Sequence, residues 1–160
     1  MVFWWAGGVR SYVALILGIG KHARTGVAFL LGAIIATVAN DVGAFFVGSR
    51  MGSKALAPEI SPNKTVEGLV GGAIASIVAS VFFLKLFPGL HPWDGGKAIW
   101  LGVVVAVVAP LGDLAESMVK RDLGIKDMGN LLPGHGGVLD RFDALLFVLP
   151  ATYYLLHVLY

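Results

Sequence analysis

Five apolar runs of the length a bilayer requires divide this chain, at roughly 2–20, 26–48, 68–88, 97–119 and 138–160. Hydrocarbon offers backbone groups no partners, so runs of this kind must satisfy their own hydrogen bonds as helices. Hydrophobic residues make up 57% of the sequence and charged residues 14%, against about 25% charge in an ordinary soluble domain. Mean hydropathy is +0.81. These values exclude a soluble globular domain and predict an all-α, polytopic integral membrane protein with about five transmembrane helices. The first run is the weakest, because Arg10 lies inside it, and the fourth is expected to leave the membrane as a helix continuing through Asp122.

Other classes fall away quickly. The amino terminus lacks an early basic region and a small-residue cleavage pattern ahead of a soluble domain, so it does not read as a signal peptide. No cysteine is present, which removes disulfides and thiolate metal sites. A formal charge of +2 is too small to argue for nucleic acid. Where the cations sit is more informative. Loops 49–67 and 112–142 hold Arg50, Lys54, Lys64, Lys120, Arg121, Lys126 and Arg141, whereas the opposite loops hold Lys21, Arg24 and Lys97. The positive-inside rule places the first set in the cytoplasm.

One of those loops breaks the apolar pattern outright. From Gly112 to Asp143 the chain carries Asp113, Glu116, Asp122, Asp127, Asp140 and Asp143 with Lys120, Arg121, Lys126 and Arg141. Burying ten such groups in hydrocarbon at roughly 2.5–3.5 kcal/mol each would cost on the order of 25 kcal/mol or more. The stretch must face water, a ligand or metal ions. On a helix, Asp113, Glu116, Ser117 and Lys120 share one stripe, and Asp140 and Asp143 repeat the same spacing at the start of the next run. The intervening PGHGG lets backbone N–H groups approach an anion. Paired acids, a glycine loop and nearby cations are the parts needed to hold a metal–nucleotide complex.

The run SMVKRDLGIKDMGNLLPGHGGVLDRFD, Ser117 to Asp143, closely resembles the signature of the phosphatidate cytidylyltransferases, the CDP-diacylglycerol synthases. The resemblance extends back through ISPNKTVEG at Ile60 to Gly68 and NDVGAFFVGSRMGSK at Asn40 to Lys54. It implies a single membrane-embedded domain over 1–160, the carboxy-terminal catalytic part of a longer plan, in a bacterial-type inner membrane with its site facing the cytoplasm. It also implies transfer of CMP from CTP to phosphatidic acid, giving CDP-diacylglycerol and pyrophosphate. Asp113, Lys120, Asp140 and Asp143 become the catalytic candidates. Asp113 and Asp140 are the first choice of metal ligands, with Asp143 and Glu116 beside or behind them. Mg²⁺ is the expected ion, because hard carboxylate oxygens and phosphates suit it, and a second cation remains open. Arg121, Lys126, His135, Gly136, Gly137 and Arg141 are expected to contact substrate.

Two further segments bear on that expectation. In SPNKT, Ser61 and Pro62 are expected to cap a short helix that places Lys64 in its first turn, where a cation opposes the helix dipole unless an anion neutralises it. Ser61, Asn63, Lys64 and Thr65 are accordingly expected to bind a phosphate, the alternative being a plain surface turn. Asn40 and Asp41 interrupt the second apolar run, either to fix helix packing or to line a polar cavity. Gly68, Gly72, Ser76 and Ser80 recur every four residues, a rhythm that lets helices approach closely. GIGKHA at Gly18 to Ala23 lacks the strand a dinucleotide fingerprint needs and reads as a surface loop. His91 and His157 have no acidic neighbour at ligand spacing. The rival functions are a cytidylyltransferase for an ether-lipid phosphate, a transporter, and an inactive fragment. With few helices to enclose a phosphate site, the chain is expected either to pair with a second copy as a homodimer or to be much less active than a version with further upstream helices.

Overall fold

Each of the five apolar runs contains a helix in the computed structural model, which describes residues 2–19, 23–86, 95–122 and 143–160. The helices are α1 (Val2–Leu17), α2 (Ala23–Met51), α3 (Val66–Leu86), α4 (Gly95–Asp122) and α5 (Asp143–Leu159). Among the described residues, α2 and α4 are long and apolar enough to cross a membrane, and the apolar parts of α1, α3 and α5 are shorter. As anticipated, α4 runs unbroken through Asp122.

The all-α expectation needs a correction. Two short strands, β1 (Ala55–Ala57) and β2 (Ser61–Thr65), form an antiparallel hairpin between α2 and α3. The expected short helix capped by Ser61 is therefore a strand, and Lys64 lies in β2 instead of a first helical turn. Thr65 does the capping, with its Oγ1 accepting the Gly68 N–H at 3.1 Å. Pro62 is tolerated because each strand of a two-stranded ribbon has one unpaired edge, where a missing N–H costs no ladder bond. Behind the hairpin, Val66 N–H donates to the Lys54 carbonyl at 2.9 Å.

Packing follows side-chain size. α1, α2, α4 and α5 bury Ile16, Phe29, Leu101, Val105, Val148, Leu149 and Leu156 in one cluster. α3 packs most closely on α2 and uses small residues to do so. A Cβ on Gly72 would lie 2.7 Å from the Asn40 carbonyl oxygen, and one on Gly68 2.8 Å from that of Ala44. Farther along α3, the Ser76 hydroxyl donates to the Gly102 carbonyl of α4 at 3.1 Å. The four-residue rhythm of small residues is thus a packing device, as its spacing predicts. The outer side of α3 presents Val70, Ile74, Val78 and Phe82, each more than half exposed, as one apolar ridge.

Two contacts bring the polar ends together. Arg121 Nε, at the end of α4, donates to the Ile60 carbonyl in the hairpin turn at 3.2 Å, and Lys64 of β2 meets Asp113 of α4. Loop 49–67 and the start of 112–142 therefore share one end of the bundle, as the charge distribution requires.

Candidate active site

A cavity of about 500 Å³ opens where α2, the hairpin, α3 and α4 converge. Helix α2 contributes Asn40, Asp41 and Phe45, β2 contributes Asn63, Lys64 and Thr65, and α4 contributes Pro110 and Asp113. Gly48 and Gly68 lie in the wall where α2 and α3 touch, and Leu56 and Leu69 add apolar surface. The cavity exists because glycines hold α2 and α3 together at this level while the hairpin spans the gap toward α4.

Lys64 Nζ lies 2.7 Å from Asp113 Oδ2, with side chains 30% and 28% exposed. The two are 49 residues apart in sequence. Asp113 is further fixed through its backbone, whose carbonyl accepts the Ser117 hydroxyl at 2.8 Å. Pro110, one turn earlier, lacks the N–H that would bond the Ala106 carbonyl, so α4 is missing a rung beside the cavity. Asn40 is buried, whereas Asp41 beside it is exposed along the cavity wall. The cavity-lining alternative for Asp41 is the one the structure bears out.

Glu116 occupies a different setting. It is 2% exposed, and Lys120 Nζ lies 2.8 Å from its Oε1 as an ion pair without hydrogen-bond angles. Oε2 has no hydrogen-bond partner among the described residues. Glu116 does not line the cavity, so the helical stripe divides into Asp113 facing the cavity and a buried Glu116–Lys120 pair. At the hairpin's base, Ser53 Oγ donates to Glu67 Oε1 at 2.5 Å and Lys54 N–H donates to Oε2 at 3.3 Å. Both bonds tie the Glu67 carboxylate, in the first turn of α3, to the base of the hairpin.

Of the residues expected at the site, Asn63, Lys64, Thr65 and Asp113 meet in the cavity. Ser61 opens β2 without lining it, and Arg121 binds the hairpin turn. Asp143 begins α5, with its side chain outside the described part. Lys126, His135, Gly136, Gly137, Asp140 and Arg141 lie outside the described residues, as do Gly20, Lys21 and His22 of GIGKHA and His91. Leu56, Leu69 and Pro110 carry no motif, and only a fold could show that they belong here, whereas Phe45 falls within the family-like NDVGAFFVGSRMGSK segment. Among the described residues no three potential metal ligands cluster, so an ion at Asp113 needs donors from beyond them.

Apolar helices thus gather charged residues from three segments, α2, β2 and α4, into one cavity. A solved structure described as an intramembrane enzyme for archaeal membrane lipids biosynthesis matches with a TM-score of 0.54 and 26% identity, over 81% of this chain and 76% of that one. The cytidylyltransferase family model matches residues 2–159, and the chain belongs to that family. Its relatives include the phosphatidate cytidylyltransferase of Bacillus subtilis, 44% identical over 131 residues, covering 82% of this chain and 48% of that protein. The Mycobacterium leprae protein of the same name is 42% identical, over 89% of this chain and 43% of its own length. The chain spans about half the length of the curated relatives it matches.

Proposed function

We propose that this chain carries the phosphate-handling site of a phosphatidate cytidylyltransferase. A phosphate oxygen of phosphatidic acid attacks the α-phosphorus of CTP, the bond from that phosphorus to the bridging oxygen breaks, and pyrophosphate leaves with the bond's electrons. The observation that carries this reading is the meeting of Lys64, from the family-like ISPNKTVEG segment, and Asp113, from the charged stripe of α4, in one cavity. A phosphomonoester is already nucleophilic at neutral pH, so the chain's main work is to orient and neutralise charge.

The donor set fits Mg²⁺. Asp113 is a partly buried carboxylate at the cavity, and hard oxygen donors completed by substrate phosphates are the usual company of that ion. Asp113 and Asp140 would hold it, with Asp143 and Glu116 in support, and a bound ion would neutralise phosphate charge during transfer. Lys64, Lys120 and Arg121 stand at the same end of the bundle to receive phosphates, and the excess of cations at that end favours a cytoplasmic orientation. The archaeal neighbour makes an ether-lipid phosphate the second acceptor to try.

The test uses the protein in nanodiscs with labelled CTP and either acceptor. A CDP-lipid and pyrophosphate should form only when Mg²⁺ is present. Folded protein that binds neither CTP nor Mg²⁺ would refute the assignment, and exclusive use of the ether lipid would move it to the second acceptor.

A further inference from the structure

The contact between Lys64 and Asp113 joins two groups that the proposed reaction needs apart. Among the described residues, the charged side chains lining the cavity are Asp41, Lys64 and Asp113. Of these three described groups, the cation is taken by one carboxylate while the other leaves this described part of the wall net negative. The pair is about 70% covered on each side and sits at 2.7 Å, where water competes less than at an open surface.

Each ligand component meets an obstacle when it arrives alone. A free polyphosphate finds Lys64 neutralised and Asp41 repelling it. A free divalent cation finds Asp113 Oδ2 already engaged by an ammonium. A complex carrying both charges meets neither obstacle, because Asp113 can turn to the cation while Lys64 turns to phosphate and every charge stays paired. We propose that the Lys64–Asp113 ion pair is an exchange latch that makes this cavity select a divalent cation–polyphosphate complex over either component alone. The inference rests on the phosphate-handling reading above and adds a ligand preference to it.

Calorimetry on the whole protein in neutral-lipid nanodiscs tests the latch with Mg²⁺ alone, inorganic tripolyphosphate alone, and the two together, without CTP or lipid substrate. Breaking a charge-assisted contact of this kind should change affinity by roughly tenfold. Lys64→Met should bind Mg²⁺ alone about tenfold more tightly than wild type, because Asp113 is released. Asp113→Asn should bind metal-free tripolyphosphate about tenfold more tightly, because Lys64 is released, and this gain should vanish in the double variant. An equal gain with and without Lys64 would mean that only repulsion was relieved, and would overturn the latch. Unchanged or weaker Mg²⁺ binding in Lys64→Met would overturn it as well. Lys64→Gln replaces Lys64→Met if thermal melting shows the latter misfolded. A protein that passes these tests yet transfers no CMP would refute the activity and keep the latch, and the reverse pattern would do the opposite.

Discussion

Replacing Gly72 with alanine asks whether the contact between α2 and α3 builds the cavity wall. The new Cβ would lie 2.7 Å from the Asn40 carbonyl oxygen, 3.0 Å from Asn40 Oδ1 and 3.1 Å from the Ala44 Cβ. Ordinary contact starts near 3.4 Å, so the helices must part by about 0.7 Å at this level. Overpacking of this kind costs about 1–3 kcal/mol. Alanine's better helix propensity returns about 1 kcal/mol, leaving a net loss of about 0–2 kcal/mol. Asp41 follows Asn40 directly, so the same shift should lower turnover. Unfolding in mixed detergent micelles measures the stability change, with Gly7→Ala as the reference because a Cβ there meets nothing within 4 Å. That variant should be neutral or slightly stabilised. If Gly72→Ala and Gly7→Ala behave alike in stability and rate, the close approach does not hold the wall.

Other substitutions probe separate parts of the site. Asp113→Asn and Asp140→Asn should each nearly abolish CMP transfer with expression unchanged, since each removes a negative oxygen ligand at constant size; near wild-type rates across a Mg²⁺ titration would remove that residue from the assignment. Lys64→Ala should slow the reaction roughly ten- to hundredfold at subsaturating CTP and lipid, from a lost charge-assisted contact of about 1.5–3 kcal/mol. An unaltered rate would make Lys64 a structural partner of Asp113 only. Thr65→Ala should lose about 0.5–2 kcal/mol with its cap, and Thr65→Ser should restore it. A Thr65→Ser variant as unstable as Thr65→Ala would mean that methyl packing, and not the hydroxyl, sets the start of α3.

Helix positions were legible because bilayer-length apolar runs admit few alternatives, and α4 continues to Asp122 as the stripe from Asp113 to Lys120 suggests. The hairpin was harder to read. Ser61-Pro62 imitates a helix start, yet Thr65 followed by Glu67 in the first turn is the stronger signal, since its acid favours the helix dipole. Burial of Glu116 could not be foreseen, because helical periodicity places it beside Asp113 without saying which neighbour each would face. The meeting of Lys64 and Asp113 had no local trace either. It arises from how α3 and α4 fold back on the hairpin, across 49 residues of chain.

The rung missing at Pro110 has a mechanical consequence. A helix rises about 1.5 Å per residue, so Asp113 stands about 4.5 Å beyond that point and Arg121 about 16 Å beyond it. A bend of about 10° there would carry Asp113 less than about 1 Å but Arg121 about 3 Å. The carboxylate rides close to the pivot and the arginine at the tip of a lever. Because Arg121 holds the Ile60 carbonyl, such a swing would pull the hairpin with it, widening or narrowing the entrance while the carboxylate stays nearly still.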